Sequence, residues 1–383
     1  MSKDKRKNKV SMNLIRPISN EKWQPISIPI FSILISLIAA AIVILLIGKD
    51  PLQAFYNIFQ GAGILPKPSY AGYKSMLTDF LSLLNAMTPL VFASLAVAVA
   101  FKAGLFNIGV SGQMLVSGFL ATIIVGYSGL DAIIAKPLVL IIGMVAGGLM
   151  GGLVGWLKYK FNINEVVSTI MFNYIAQYVI SFFIQMYYID PVSRQSKYIS
   201  EAPRLTLVNV EISNLKMDIP LGFILAIVIA ILLKFVMDKT VVGYEIKAVG
   251  NNRNAAKYAG INVGRNTVLA MVISGGLAGL AGVTYYLGYF SSIQPKVLSS
   301  IGFDSIAVSL LGNSHPIGVI FSSFLISIID QGSTYMSSQA GIRQEITSVV
   351  IGLILLFSAC GEYLKHKVSR IKEKEVDRKE SES

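Results

Sequence analysis

The sequence predicts an all-α fold: a polytopic transmembrane helical bundle with about ten passes and a broken late segment. Of the 383 residues, 54% are hydrophobic and only 14% are charged, whereas an ordinary soluble domain has about 25% charged residues. A membrane helix needs about 20 apolar residues, so ten of them would use about 200 residues. A soluble core of this length cannot bury so much apolar surface, which excludes a typical soluble enzyme.

Ten apolar stretches define the predicted spans. The first follows a polar, basic N-terminal segment, residues 1–25, and is too long for the apolar part of a signal peptide, so we interpret it as an uncleaved span. The eighth and ninth are short and are separated by residues 312–316, a pattern typical of broken helices. Residues 26–364 form the predicted membrane domain, and residues 365–383 form a tail. The stretches are 26–48, 77–101, 108–127, 137–157, 166–188, 219–237, 267–290, 303–311, 317–329 and 345–364.

The charge distribution predicts the orientation. With ten passes, the side that holds both termini carries 23 Lys and Arg against 11 Asp and Glu, whereas the other side carries ten of each. An excess of Lys and Arg marks the cytoplasmic side, so both termini are predicted to be cytoplasmic. The whole net charge of +12 falls on this side of the membrane, so it follows from the topology and needs no nucleic acid partner. The longest internal loop, residues 238–266, is where a cytoplasmic partner would bind.

Catalytic motifs are absent from the sequence. It has no GxxxxGK[ST] phosphate loop, no HExxH pair and no GxSxG elbow. The single cysteine, Cys360, excludes an intrachain disulfide and a cysteine-built metal site. We therefore predict that the chain is not an enzyme and holds no cofactor and no metal.

Glycines recur at helical spacing in two stretches. In lipid, small residues let two helix backbones approach closely and gain dispersion contacts. We predict that these stripes are packing surfaces, with a sliding surface between moving helices as the alternative. The glycines are Gly143, Gly147, Gly151 and Gly155 in the fourth stretch and Gly275 and Gly279 in the seventh.

Amide side chains inside the stretches are candidates for a substrate path. Amides offer donors and acceptors without a buried charge, which suits a polar, neutral solute. Hydrogen bonds between helices are the alternative. Asn173 and Gln177 are four residues apart and share a helix face, whereas Asn107 and Gln113 flank an irregular helix start. The candidates are Asn85, Asn107, Gln113, Asn173 and Gln177.

The internal loop contains a predicted short helix. Asn252 is a good N-cap, and Gly260 is a natural residue to follow a helix end. Small alanines could enter a groove on a cytoplasmic partner, and flanking basic side chains could pair with acidic groups at its rim. A basic surface helix against anionic lipid is the alternative. The predicted docking residues are Asn252, Arg253, Ala255, Ala256, Lys257 and Gly260.

Three motifs resemble those of a known family. Residues 106–114 read Phe-Asn-Ile-Gly-Val-Ser-Gly-Gln-Met. They resemble the signature of bacterial ABC-transporter permeases of the ribose and branched-chain amino acid type. Within that family they most resemble the nucleoside-type branch. Residues 248–282 resemble that family's cytoplasmic docking loop and next span, and residues 303–318 resemble its late broken segment. The chain departs from the family at Ser111, where Glu is usual, and at Arg253 and Asn254, where Pro-Glu is common.

The resemblance implies a permease subunit of an ATP-driven importer in the bacterial cytoplasmic membrane. It favours nucleosides as substrates, with pentoses or amino acids as the alternative. It implies three protein partners: a cytoplasmic ABC ATPase, a second homologous permease and an extracellular substrate-binding lipoprotein. An ion-coupled secondary transporter is the rival from another class, but it needs membrane carboxylates, and the stretches contain few.

Overall fold

The computed structural model describes residues 24–212 and 214–359. Most of the predicted segment 1–25 and the whole predicted tail 365–383 lie outside the described residues. The described chain is predominantly helical, with one antiparallel pair of strands after the sixth helix. The helices are α1 (Gln24–Leu46), α2 (Pro51–Gly61), α3 (Met76–Lys102), α4 (Val110–Ala121), α5 (Ala132–Phe161), α6 (Glu165–Phe183), α7 (Leu221–Lys239), α8 (Val241–Asn251), α9 (Arg253–Tyr258), α10 (Val263–Thr284), α11 (Ile301–Leu311), α12 (Pro316–Ala340) and α13 (Glu345–Ala359).

Six of these helices are long and apolar enough to cross a membrane. They are α3, α5, α6, α7, α10 and α12, and α1 with α2 would add a seventh if the two form one broken span. Short π-helical turns extend α4, α6 and α10 at their C-terminal ends. Each of the ten predicted stretches contains a helix, but α4 and α11 are shorter than a full span. The prediction of a membrane helical bundle is therefore confirmed in its coarser form.

The chain divides into two compact units. In the first, α1 and α13 pack together, and the Ser36 hydroxyl donates to the Leu353 carbonyl at 3.5 Å. In the second, residues 56–339, the helices surround α3, whose residues 87–100 are all buried. A helix that is apolar on every side belongs at the centre of a bundle, which explains this position.

The glycine stripes of α5 and α10 pack against each other. A Cβ added at Gly147 would overlap the Gly275 carbonyl, and one at Gly279 would overlap the Gly143 carbonyl. The helix backbones are therefore in direct contact along this seam, as small residues in a membrane permit. The predicted packing surface is confirmed, while sliding along it stays a prediction.

The ninth stretch is longer than predicted. Hydropathy ended it at residue 329, whereas α12 continues to Ala340. Gly332 lies so close to α2 that a Cβ there would overlap the Ile58 carbonyl, and the Ser333 hydroxyl donates to the Asp330 carbonyl at 2.6 Å. Packing and local hydrogen bonding thus stabilise the C-terminal part of α12. Its polar composition is the reason that hydropathy did not predict it as part of the helix. Of the two stretches predicted to be short, α11 is short and α12 is not, and the predicted break at 312–316 is confirmed.

A two-stranded hairpin is the exception to the all-α prediction. Strands β1 (Thr206–Ile212) and β2 (Leu215–Pro220) pair antiparallel, with an irregularity between Leu207 and Val210. Asn209 adopts a φ of 53° at that point and donates its N–H to the Asp218 carboxylate at 2.9 Å. The hairpin lies in the loop predicted to be outside, between α6 and α7.

Candidate functional site

Two of the predicted amides form a buried cluster with a serine. The Asn107 amide donates to Gln113 Oε1 at 3.0 Å and to Ser274 Oγ at 2.9 Å. Ser274 in turn donates to the Ala96 carbonyl at 2.7 Å. The cluster therefore ties the start of α4 to both α3 and α10. Asn107 and Gln113 are at most 1% exposed, and their hydrogen-bonding capacity is used within the chain.

Asn173 holds α6 against the start of α4. Its Oδ1 accepts from the Gly112 N–H at 2.8 Å, and its Nδ2 donates to the Ile108 carbonyl at 2.9 Å. Asn85 lies apart from the other amides and accepts from the Thr206 hydroxyl at 2.8 Å. These contacts are hydrogen bonds between segments of the chain, and a part for either residue in a path stays a prediction.

Gln177 fixes the loop that follows α10. Its Nε2 donates to the Lys296 carbonyl at 2.6 Å, and the Lys296 N–H donates to the Ser181 hydroxyl at 2.7 Å. Lys296 has a φ of 62°, a left-handed conformation that is uncommon outside glycine. The loop is thus held to α6 through both backbone polar groups of Lys296. Beside it lies a cavity of about 500 Å³ lined by Gln185, Ile189, Arg194, Gln294 and Pro295.

The exposed face of α6 carries an aromatic stripe that sequence reasoning missed. We call this surface the tyrosine stripe. It comprises the aromatic residues Tyr174, Tyr178 and Phe182 and the adjoining amide Gln185. The two tyrosines are 53% and 64% exposed, and Phe182 is 55% exposed. Among the described residues, neither tyrosine has a hydrogen-bond or ring partner. The signal in the sequence is a pair of tyrosines four residues apart in the middle of a span, and it contains neither an amide nor a charge.

Aromatic residues near the end of α6 behave differently. Tyr188 stacks on Tyr127, with ring centroids 5.7 Å apart, and also contacts Phe119. The Tyr127 hydroxyl donates to the Lys197 carbonyl at 3.0 Å. These rings pack within the chain and close the end of the span.

The internal loop forms two helices rather than one. Besides the predicted helix α9, the structure contains α8, which the Thr240 side chain caps through the Gly243 N–H at 3.3 Å. Asn252 caps α9 as predicted, since its Oδ1 accepts from the N–H groups of Asn254 and Ala255 at 3.0 Å each. Gly260 follows α9 with a φ of 81°.

Ala256 differs from the other residues of α9 in its burial. It is 3% exposed and packs against the rest of the chain, and its part in docking stays a prediction. The side chains that face outward define what we call the docking surface: Tyr244, Arg253, Ala255, Lys257 and Tyr258. Tyr258 is 94% exposed, an unusual state for a tyrosine, and sequence reasoning did not identify it.

A small polar cavity lies near the base of α7 and α12. It has a volume of about 180 Å³ and is lined in part by Lys102, Asp238, Lys247 and His315. Lys247 Nζ lies 3.6 Å from Asp238 Oδ1. Burial, together with the positive charge of Lys234, lowers the pKa of His315 below its ordinary value.

Comparisons with known proteins agree with this arrangement. Residues 80–359 match the family described as the permease component of the branched-chain amino acid transport system. The chain is 35% identical to the guanosine ABC transporter permease protein NupP of Bacillus subtilis, over 91% of this chain and 97% of that protein. It is 34% identical to the nucleoside ABC transporter permease protein NupB of Lactococcus lactis, over 95% and 99%.

A relative of a different kind is less similar. The glucose ABC transporter permease protein TsgB13 of Haloferax volcanii is 26% identical over 90% of this chain and 89% of its own length. The family match covers the glycine seam, the amide cluster, the tyrosine stripe and the docking surface alike. With its bundle of apolar helices, this chain belongs to the branched-chain amino acid type of ABC-transporter permease components, and it is a transport subunit rather than an enzyme.

Proposed function

We propose that this chain is the permease of an ATP-driven importer that carries nucleosides across the bacterial cytoplasmic membrane. The observation that carries the proposal is its 34–35% identity, over more than nine-tenths of the chain, to permeases named for guanosine and nucleosides. The glucose permease, at 26% identity, supports a sugar as the second candidate. The amide side chains predicted for the path carry no charge, which suits either neutral solute.

The test is uptake of radiolabelled guanosine in a strain that lacks the chromosomal copy of this permease. We expect uptake to return with the gene, to be inhibited by unlabelled nucleosides and to resist ribose, glucose and amino acids. Competition by glucose instead would favour the sugar importer. Uptake that stops on collapse of the proton gradient while ATP is kept constant would favour an ion-coupled transporter.

We further propose ten passes, with both termini and the docking surface in the cytoplasm. The asymmetry of Lys and Arg supports this orientation. Cysteine labelling with an impermeant reagent, after Cys360→Ser, checks it. Ser2→Cys should stay unlabelled in intact cells, whereas Val192→Cys, at a position 92% exposed in the predicted external loop, should be labelled.

The docking surface would receive the ATPase and transmit its motion. α9 is capped by Asn252 and ended by Gly260, so it can move as a rigid body. The backbone of α8 at Gly250 lies against the end of α3, since a Cβ there would overlap the Lys102 carbonyl. Displacement of α8 would therefore reach α3, the central helix of the bundle.

The variant Tyr258→Ala tests docking. Exposed tyrosines are frequent anchors in protein interfaces, so we expect loss of ATPase co-purification and of substrate-stimulated ATP hydrolysis in proteoliposomes. Tyr198→Ala is the matched control, because Tyr198 is 62% exposed in the predicted external loop. Normal stimulation in Tyr258→Ala would place docking elsewhere. Ala256→Glu is unsuitable as a test, because a buried charge would unfold α9 on its own.

A further inference from the structure

We propose that the tyrosine stripe of α6 is a wall of the translocation path and that its rings contact the nucleobase of the passing solute. The proposal rests on the proposed function for the identity of the solute. The position of the stripe in the path is argued separately, from depth, exposure and chemistry.

The depth of the stripe argues against a lipid-facing position. The span Glu165–Tyr188 has 24 residues, which at 1.5 Å per residue is about 36 Å. Tyr174 and Tyr178 lie about 14 and 20 Å from its start, close to the middle of the membrane. Tyrosine is enriched at the two membrane interfaces, whereas a phenol hydroxyl in the hydrocarbon centre has no partner and is costly.

Neighbouring spans show what a lipid-facing surface looks like in this chain. At middle depth, the exposed large side chains of α5 are Met144, Val145 and Leu149, and those of α7 are Val228, Ile231 and Leu232. None of them carries an aromatic ring or a hydroxyl group. α6 also exposes Ile175 and Val179 at that depth, but it alone of the three exposes tyrosines, so we infer that the face of α6 with the tyrosines meets water and solute rather than lipid tails.

The stripe is continuous with a polar cavity. At 100° per residue, Tyr174 and Tyr178 lie about 40° apart around α6, and Phe182 lies about 40° further round. Gln185 follows in the π-helical turn that extends α6. Gln185 also lines the cavity of about 500 Å³ that includes Arg194 and Gln294. A solute that enters through this polar mouth would thus meet the aromatic rings next. The opposite wall would come from the second permease.

The chemistry of the stripe fits a nucleobase. Stacking of a base on an aromatic side chain contributes about 1–3 kcal/mol and tolerates different bases, because every base has a π-face. Two tyrosines about 6 Å apart along the helix axis offer successive weak contacts, and passage requires binding that is weak enough to reverse. Ribose alone has no aromatic ring to stack, so the same stripe would discriminate against a free pentose.

Accessibility tests the path without reference to the substrate. In a Cys360→Ser background, we expect Tyr178→Cys to react with a small, charged thiol reagent in membranes. Ile231→Cys is the matched control, at an aliphatic position 54% exposed, and should not react. Equal lack of reaction at both positions would overturn the proposal, because the stripe would then face lipid.

Transport tests the contact with the base. We expect Tyr178→Leu to reduce guanosine uptake about tenfold, as loss of one stacking contact implies, while Tyr178→Phe keeps it within about twofold. Protein levels of both variants, measured in the same membranes, separate this effect from misfolding. Normal guanosine uptake by Tyr178→Leu would overturn the base contact. Failure of the wild-type chain to carry any nucleoside would instead reject the proposed function, and reaction at Tyr178→Cys would still place the stripe in the path.

Discussion

Helices α5 and α6 follow each other in the chain and are buried to similar extents, yet their exposed faces differ. In the most apolar window, 44% of α5 and 39% of α6 is buried. The exposed face of α5 is aliphatic at middle depth and becomes aromatic only near its end, at Trp156 and Tyr159. The exposed face of α6 has tyrosines at the middle. The exposed fraction of a helix within one subunit therefore does not distinguish a face that contacts lipid from a face that lines a path. The chemistry of the exposed side chains at a given depth does.

The two helices are also held in place differently. Backbone contact along the glycine seam fixes α5 on α10 over several turns. α6 approaches a glycine closely only near the start of α4, where a Cβ at Gly112 would overlap Asn173. Beyond that point amides attach it, with Asn173 bonded to the start of α4 and Gln177 bonded to the loop after α10. A seam resists displacement along its whole length, whereas separate hydrogen bonds permit a helix to tilt between them. We therefore expect substitutions to act on α5 through packing and on α6 through hydrogen bonding.

The largest expected effect is on the glycine seam. Gly147→Ala places a methyl group on the Gly275 carbonyl and must separate the two backbones, which we expect to destabilise the protein by about 3 kcal/mol. Thermal unfolding of the purified permease in detergent and its level in membranes measure this loss.

Gly148→Ala is the matched control for the seam. The added Cβ would lie 3.4 Å from the Val272 carbonyl, an ordinary contact, so we expect a change within about 0.5 kcal/mol. Equal loss of stability in both variants would contradict the assignment of Gly147 to the packed face of α5 and weaken the comparison with α6.

A smaller effect is expected from the amide that attaches α6. Asn173→Ala leaves the buried Gly112 N–H and Ile108 carbonyl without their partner, which costs about 1–3 kcal/mol. We expect a lower unfolding temperature, with transport reduced only in proportion to the folded protein. Unchanged stability with abolished uptake would show that Asn173 lines the path, as one interpretation of the sequence holds.

Gln177→Ala sharpens the same comparison. Gln177 is partly exposed and holds only the Lys296 peptide, so we expect a loss of stability smaller than that of Asn173→Ala. Uptake should fall more than stability, because the loop beside the cavity lined by Gln185 and Arg194 loses one of the two hydrogen bonds that join Lys296 to α6. Normal uptake would separate this loop from the entrance.

The features that the sequence predicted are those that depend on local pattern. Apolar length predicted the helices, glycine spacing predicted the seam, and the side chain of Asn252 predicted its cap. Each of these signals depends on residues within a few turns of one another. They held even where the final packing partner, such as α10 for α5, could not be named in advance.

The features that the sequence did not predict depend on tertiary surroundings. α12 continues past Asp330 because Gly332 packs on α2, a contact that no local average contains. The position of Ala256 on the inner side of α9 was decided by how that short helix lies on its neighbours. The sequence places Tyr178 in the middle of a span, but its exposure there follows only from the structure.

The smallest expected effect concerns His315, at the end of the spans, and is seen as a dependence of stability on pH. Burial and the charge of Lys234 lower the pKa of His315, so the folded state favours the neutral imidazole. The unfolded chain binds that proton near the ordinary pKa of about 6.5. Stability from neutral His315 is therefore complete above that pH and is lost as the pH falls below it.

His315→Gln removes this titration. Between pH 7 and pH 5 we expect the unfolding temperature of the wild type to fall by more than that of the variant, with the two nearly parallel above pH 7. Parallel curves over the whole range would mean that water reaches His315 freely, and that the cavity beside Lys102 and Lys247 is open. The same measurement on Tyr178→Leu should leave the fall between pH 7 and pH 5 unchanged, since the tyrosine stripe contains no histidine and no carboxylate.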